Sequence, residues 1–375
     1  MSEPPAANLT AVADSSGRAR DLRSIAAAMA RTGGHTRGFD YMRLALATCV
    51  VAFHSFAVTH DVVADHALWR SAWRPLLRLF LPMFFALSGF LVAGSLARST
   101  TLGEFLILRA MRIMPALFAE IALSALILGP LLTVFPPARY FHDHAFFSYF
   151  LNVVGDVHFS LPGLFLGNPR PGLVNGSLWT IPFEGLCYLS LAALAFTGIV
   201  HRRDLFLAIV LAAMAILAAR SAWLHDVLWT VPGQFLVVCF LAGVALHLYR
   251  ESIPYDIRLF AISALAAFLF LELDRFVYLA AFPVAYATAY LGLTNPRKTI
   301  LLSGDYSYGI YLFAYPIQQA LVFLFPASRT TAIIFLTAVP VSCAYAIFSW
   351  HCIEHPILRR KTQAVAAFRR LAHRA

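Results

Sequence analysis

Three ionisable side chains lie deep inside apolar runs of this 375-residue chain: His54 in FDYMRLALATCVVAFHS, Glu120 beyond LRAMRIMP, and Glu184 in NGSLWTIPFE. Hydrocarbon penalises each unless it is paired or faces water, which makes all three candidate functional groups. His54 follows Arg43 by eleven residues. At about 100° per residue the two return to within about 20° of one helix face, so arginine and histidine share a stripe. A rise of about 1.5 Å per residue lifts the imidazole roughly 16 Å above the guanidinium, near the middle of a hydrocarbon core about 30 Å thick. Glu184 lies about 12 Å below the outer edge near Gly176 and His54 about 14 Å below the same surface. Glu120, eleven residues after Arg109, also reaches mid-depth, so depth does not choose between the carboxylates. A neutral imidazole can take a proton from a hydroxyl, and a neighbouring carboxylate can orient the ring and stabilise the imidazolium. A histidine that merely joins two helices by hydrogen bonds is the competing reading.

Arg109 and Arg112 stand three apart at the mouth of an apolar run in FLILRAMRIMP. Forked cations there suit phosphate groups arriving from the cytoplasm, and with Arg43 they make a three-arginine collar; plain anchoring at the membrane face explains the pair as well. Pro115 is expected in the first helical turn, where its missing N–H is tolerated. Asp40, three residues before Arg43, is placed to hold that arginine. Ser88 and Gly89 in FFALSGFLVAG favour close helix approach over catalysis. Pro182 frees a backbone carbonyl just before Glu184, the kind of break that lines a cavity. Asn175, Ser177 and Trp179 stand at the outer entrance, placed to bind a hydroxylated acceptor or, for the first two, simply to cap a helix. Trp69 and Trp73 read as interface anchors. Arg70, Arg74 and Arg78 read as a stripe facing solvent or headgroups, with attraction of an anionic glycan as the functional alternative. His142 and His144 resemble a metal pair only by spacing, and no metal is expected.

The elements that must position these groups are membrane helices. With 60% hydrophobic and 13% charged residues, and apolar runs near 20 residues recurring from end to end, the chain is an all-α, polytopic integral membrane protein. Ten transmembrane helices are predicted, at about 41–59, 78–96, 113–134, 177–199, 205–220, 231–249, 258–271, 276–293, 306–325 and 331–352. A polar leader over 1–37 is expected to be disordered or loosely helical, a single membrane domain covers 38–356, and a basic tail covers 357–375. The first span is long enough to cross and opens on charged residues, so it reads as a retained anchor rather than a cleaved signal. Segments assigned to the cytoplasm carry most of the 29 lysines and arginines, which places both termini there. That bias also explains the net charge of +10 without a nucleic-acid partner. Cys49, Cys187, Cys239, Cys343 and Cys352 show no paired spacing and read as packing residues. The longest outer connection, from about Phe135 to Gly176, contains FFSYFLNVV, suited to the membrane interface, and loops of this length often carry function.

FDYMR…AFHS, FFALSGFL, the LRAMRI arginine pair, NGSLWTIPFE, SGDYSYGIYLFAYPIQQ and the closing WHCIEHP, in this order from about Phe39 to Pro356, resemble the membrane acyltransferase 3 family, bacterial enzymes that O-acylate surface glycans and other acceptors. The ninth span is similar to the branch acting on exopolysaccharide, lipopolysaccharide and nodulation factors. The resemblance implies His54 as the catalytic residue, Arg43 as its motif partner, Arg109 and Arg112 as the pair serving the acyl-CoA donor, and Glu184 as an essential acid. Many members carry a histidine or tryptophan where this chain reads Phe313, Ala314 and Tyr315, so a role for that second histidine does not transfer. The expectation is an inner-membrane O-acyltransferase, most simply an O-acetyltransferase. Its donor substrate is acetyl-CoA or another acyl-CoA, and its partners are membrane lipid and a glycan or lipid-linked saccharide acceptor. A transporter or flippase of a lipid-linked glycan is the alternative, since it too needs mid-membrane polar groups.

Overall fold

A computed structural model describes residues 24–31, 37–225, 227–228, 230–294 and 304–372. Apolar runs of this length become helices because only a helix satisfies every backbone N–H and C=O within one segment in hydrocarbon. The long helices are α1 (Arg37–Thr59), α2 (Arg74–Arg98), α3 (Leu102–Leu123), α4 (Ile181–Phe196), α5 (Arg203–Leu224), α6 (Gly233–Leu248), α7 (Ile257–Glu272), α8 (Ala281–Leu293), α9 (Ser307–Leu324) and α10 (Thr331–Ser349), with α11 (Lys361–Ala372) at the C-terminal end. Each of the ten expected spans falls on one of the first ten. Among the described residues seven stretches are long and apolar enough to cross a membrane: α1, α2, α5, and the continuous runs Leu102–Leu132, Gly176–Phe196, Asp274–Leu293 and Thr331–Arg359; α6 is apolar but shorter. Most of the expected leader lies outside the described residues, but Ile25–Ala30 is a helix, with Ile25 and Ala28 buried and the Ile25 amide donating to the Ile253 carbonyl.

Helix α3 begins well before its apolar run. The Thr101 hydroxyl accepts from the Glu104 amide, and Glu104 reaches back to Thr100, a cap that starts the helix at Leu102. Pro115 therefore sits in the helix interior rather than in a first turn, and Arg109 and Arg112 are held on regular backbone.

The centre of the bundle is the pair α2 and α6. A Cβ on Gly89 would run into the Phe240 carbonyl, and one on Gly243 into the Ala86 carbonyl, so both glycines are there for backbone approach, as expected for Gly89. Helix α6 is buried along most of its length.

Two expectations near the N-terminal end of α2 are corrected. Arg78 is fully buried, donates to the carbonyls of Leu271 (3.0 Å) and Leu228 (2.8 Å), and pairs with Asp274, while Arg74 pairs with Glu272. These two arginines clamp α2 to the end of α7 instead of facing headgroups or a glycan. Trp69 is buried against Phe53, with ring centroids 5.5 Å apart, whereas Trp73 is exposed as an interface anchor would be. Arg78→Ala would leave Asp274 with only the longer contact to Arg74, at 3.8 Å, and would take a donor from two carbonyls; the expected loss is about 3–5 kcal/mol. An earlier loss of monodisperse protein on heating in detergent is the readout, and an unchanged midpoint would refute the clamp.

Candidate active site

Four helices and a short lead-in segment bring the arginines together. Arg43 on α1 lies 2.7 Å from Asp305, just before α9, and 3.2 Å from Asp40 on its own helix, the local pair that their spacing suggests. Arg112 on α3 reaches the same Asp305 carboxylate at 2.6 Å and Glu354 at 2.8 Å. Glu354 is nearly fully buried, in a widened turn, Trp350–Glu354, that follows α10; such turns add a residue to the helix and redirect what comes next. The Arg112 guanidinium also lies over the rings of Tyr308 and Trp350, 5.7 Å from each centroid. Burial alone would push the Asp305 carboxyl up, but the charges of Arg112 and Arg43 and the Ser307 hydroxyl outweigh it and hold it well below the ordinary carboxylate range. Arg109 makes a 3.2 Å bond to the Ser95 hydroxyl, and its Nε is buried without a partner.

Behind these charges is a cavity of about 190 Å³ whose wall includes Arg43, Arg109, Arg112, Asp305 and Glu184. Residues from α1, α2, α3, α4 and α9 therefore meet around one space, although they are scattered over most of the sequence. Tyr188 donates to Glu184 at 2.8 Å, and Ser88, also in the wall, lies 3.5 Å from the Tyr188 hydroxyl. Tyr308 adds a buried hydroxyl with no partner. The remainder is largely apolar, with Leu81, Phe84, Leu87 and Leu91 contributing. Such a space accepts an anionic group at its arginines and an apolar chain beyond them.

His54 is half-buried on α1 and lies outside the lining of this cavity. Its ring meets Tyr315 edge-on with centroids 4.9 Å apart, and its Nδ1 is buried with no partner. The backbone around it is fixed by Gln318, whose amide donates to the Val51 carbonyl (2.8 Å) and the Ser55 hydroxyl (2.7 Å). Neither carboxylate hydrogen-bonds to the imidazole. Glu184 takes the Tyr188 hydroxyl, whereas the fully buried Glu120 accepts from Ser124 (2.8 Å) and Asn175 (2.9 Å). Asn175 donates also to the Leu312 carbonyl and accepts from the Ser177 amide, so it caps the turn ahead of α4 and ties it to α3 and α9. Both Asn175 and Ser177 are fully buried, which selects the capping role for Asn175. Trp179 is half-buried against Phe183.

The connection between α3 and α4 folds over the C-terminal end of α1. Arg170 donates to the Ala57 carbonyl (3.1 Å) and pairs with Asp65 at 2.5 Å, while Gln319 holds the carbonyls of Arg170 and Leu173. The FFSYFLNVV piece forms short helices with Phe146 and Tyr149 buried and Phe147, Leu151 and Val154 exposed, a two-faced arrangement suited to an interface. His142 and His144 each bond within their own helical turns. Asp305, Glu354, Tyr188 and Gln318 have no role in the sequence reading. The first, second and fourth stand inside motifs that it quotes, and an acid beside a span opposite unpaired arginines is the signal that could have found Asp305.

The family model described as an acyltransferase domain matches residues 36–349. An "O-acetyl transferase" of Shigella phage Sf6 is 24% identical over 343 residues, 86% of this chain and 96% of that protein. "Nodulation protein 10" of Rhizobium leguminosarum bv. viciae is 27% identical over 369 residues, 89% of this chain and 96% of that protein. No solved structure matches the chain.

A double-mutant cycle of Arg43→Ala and Asp305→Asn, read by thermal unfolding in detergent, is expected to return a coupling of about 0.5–3 kcal/mol. Strict additivity would show that the shared carboxylate does not join α1 to α9. Because the folded carboxyl titrates below its ordinary value of about 3.9, the stability it supplies is present above that pH and fades only as the pH drops further.

Proposed function

The chain belongs to the acyltransferase 3 family, and from that premise we propose that it is an O-acyltransferase of the bacterial inner membrane with both termini in the cytoplasm. It moves an acyl group from cytoplasmic acyl-CoA to a hydroxyl of a cell-surface or exported glycan. The name of the phage relative supports acetyl as the group transferred. The observation that carries the reading is the single cavity walled by Arg43, Arg109, Arg112 and Glu184. Three cations in front of an apolar space suit a phosphorylated carrier with a neutral acyl-bearing arm.

In this reading His54 is the general base. It takes the proton of the acceptor hydroxyl as the oxygen attacks the thioester carbonyl, a C–O bond forms, the C–S bond breaks, and the sulfur of CoA receives the proton from the imidazolium. An imidazole with a buried, unbonded Nδ1 on the helix that also carries Arg43 supports the assignment. Glu184 acts as the acid of the donor cavity, held by Tyr188, and not as the partner of His54. The acyl arm has to extend past the apolar end of the cavity to reach the imidazole.

His54→Ala is expected to lower transfer of labelled acetyl from acetyl-CoA to a glycan fraction by about 100- to 10,000-fold, with expression and size-exclusion profile retained. Wild-type transfer by that variant would remove His54 from the chemistry. A transporter or flippase would label nothing in the same assay, even with the wild-type protein.

A further inference from the structure

A second cavity, of about 870 Å³, opens beside the first and shares Arg109 and Arg112 with it. Its wall also carries Arg98, Lys361, Arg369 and Arg370, against one carboxylate, Glu104. Half of this wall comes from α11 and the residues leading into it, which lie beyond the family match ending at residue 349. Helix α11 is docked, not trailing. Phe368 packs on Gly103 so closely that a Cβ there would overlap its ring, Val365 is buried, and Arg369 bonds the Thr100 hydroxyl (2.6 Å) and Glu104 (2.8 Å).

The charges separate into two sets. Arg43 and Arg112 are matched by Asp305 and Glu354, and Arg369 by Glu104. Among the described residues Arg98, Arg109, Lys361 and Arg370 have no carboxylate within ion-pair distance, yet all four face this one space. Unmatched like charges around a concave wall repel one another and are stabilised by a polyanion. Within the collar of three arginines Arg109 alone keeps its charge unmatched, and the other three unmatched cations stand around the second cavity.

We propose that this second cavity seats the phosphorylated nucleotide of the acyl-CoA donor, with α11 as one wall and Arg98, Arg109, Lys361 and Arg370 as its phosphate contacts. The inference rests on the donor reading given above and adds to it a wall, α11, and two contacts, Lys361 and Arg370, that lie beyond the family match. The size fits: ligand pockets run to about 300–1,000 Å³. The charge fits as well, since a phosphomonoester brings about −1.5 to −2 at neutral pH in addition to the diphosphate. The pantetheine arm then passes between Arg109 and Arg112 into the narrower, apolar cavity.

The test uses the full-length protein in phosphatidylcholine nanodiscs, with CoA and adenosine 3′,5′-bisphosphate as probes for binding. Lys361→Ala and Arg370→Ala, both at exposed positions, are each expected to weaken both probes about tenfold, the value of one charge-assisted contact, and the double variant further. Size exclusion shows that the variants remain folded, and Lys361→Glu must weaken CoA more than Lys361→Ala. Wild-type affinity for CoA in both alanine variants overturns the proposal while leaving CoA as the donor. If the wild-type protein binds no CoA at all, the donor reading itself fails. Should the variants alter only association with phosphatidylglycerol vesicles, with CoA affinity in neutral nanodiscs intact, the phosphates recognised are lipid headgroups and the nucleotide site is refuted.

Discussion

One carboxylate, Asp305, lets two arginines occupy the same end of the bundle. Arg43 and Arg112 both reach it, from α1 and α3, and without it two guanidinium groups would face each other in a medium that screens charge poorly. Burial of an acid is costly, and here that cost is met by two cations and the Ser307 hydroxyl. Glu354 supplies the second negative charge from the widened turn after α10. Four helices are therefore joined at one electrostatic knot, and the cavity behind it exists because the knot holds them at fixed separation.

Along α1 the molecule separates two chemical regions. Arg43 belongs to the cavity wall, whereas His54, about three turns further along, packs against Tyr315 on α9. The same α9 anchors both: Asp305 precedes its first turn and Gln318, beyond Tyr315, grips the α1 backbone around His54. A rigid α1–α9 pair thus fixes the distance between the arginine-lined cavity and the imidazole. Glu120 and Asn175 do comparable work on the other side of α9, where they fasten the turn ahead of α4. Buried polar residues in this bundle mostly join helices, and the groups left without partners, such as His54 Nδ1 and Arg109 Nε, are the ones with spare capacity for a ligand.

Much of this was legible in the chain. Apolar runs gave the helices, because in hydrocarbon only a helix closes its own hydrogen bonds, and helical spacing put Arg43 and His54 on one stripe. Gly89 announced close contact, and the tertiary structure supplies the Phe240 carbonyl that requires it. Where local rules failed, the cause was a partner distant in sequence. Arg78 looks like part of an exposed stripe until α7 provides Asp274 and two carbonyls, and Trp69 looks like an interface anchor until Phe53 covers it. Pro115 looks like a helix start because the apolar run begins there, but the cap at Thr101 sets the start earlier.

By itself the sequence determined the kind of molecule, its helices and which ionisable groups lie at depth, because those follow from hydropathy and helix periodicity within one segment. The tertiary structure alone decided which charges cancel: that Asp305 and Glu354 occupy Arg43 and Arg112, that neither Glu120 nor Glu184 bonds to His54, and that α11 returns to the bundle with cations left over. Apart from the local Asp40–Arg43 pair, these charges meet across helices, and nothing local in a chain encodes those distances.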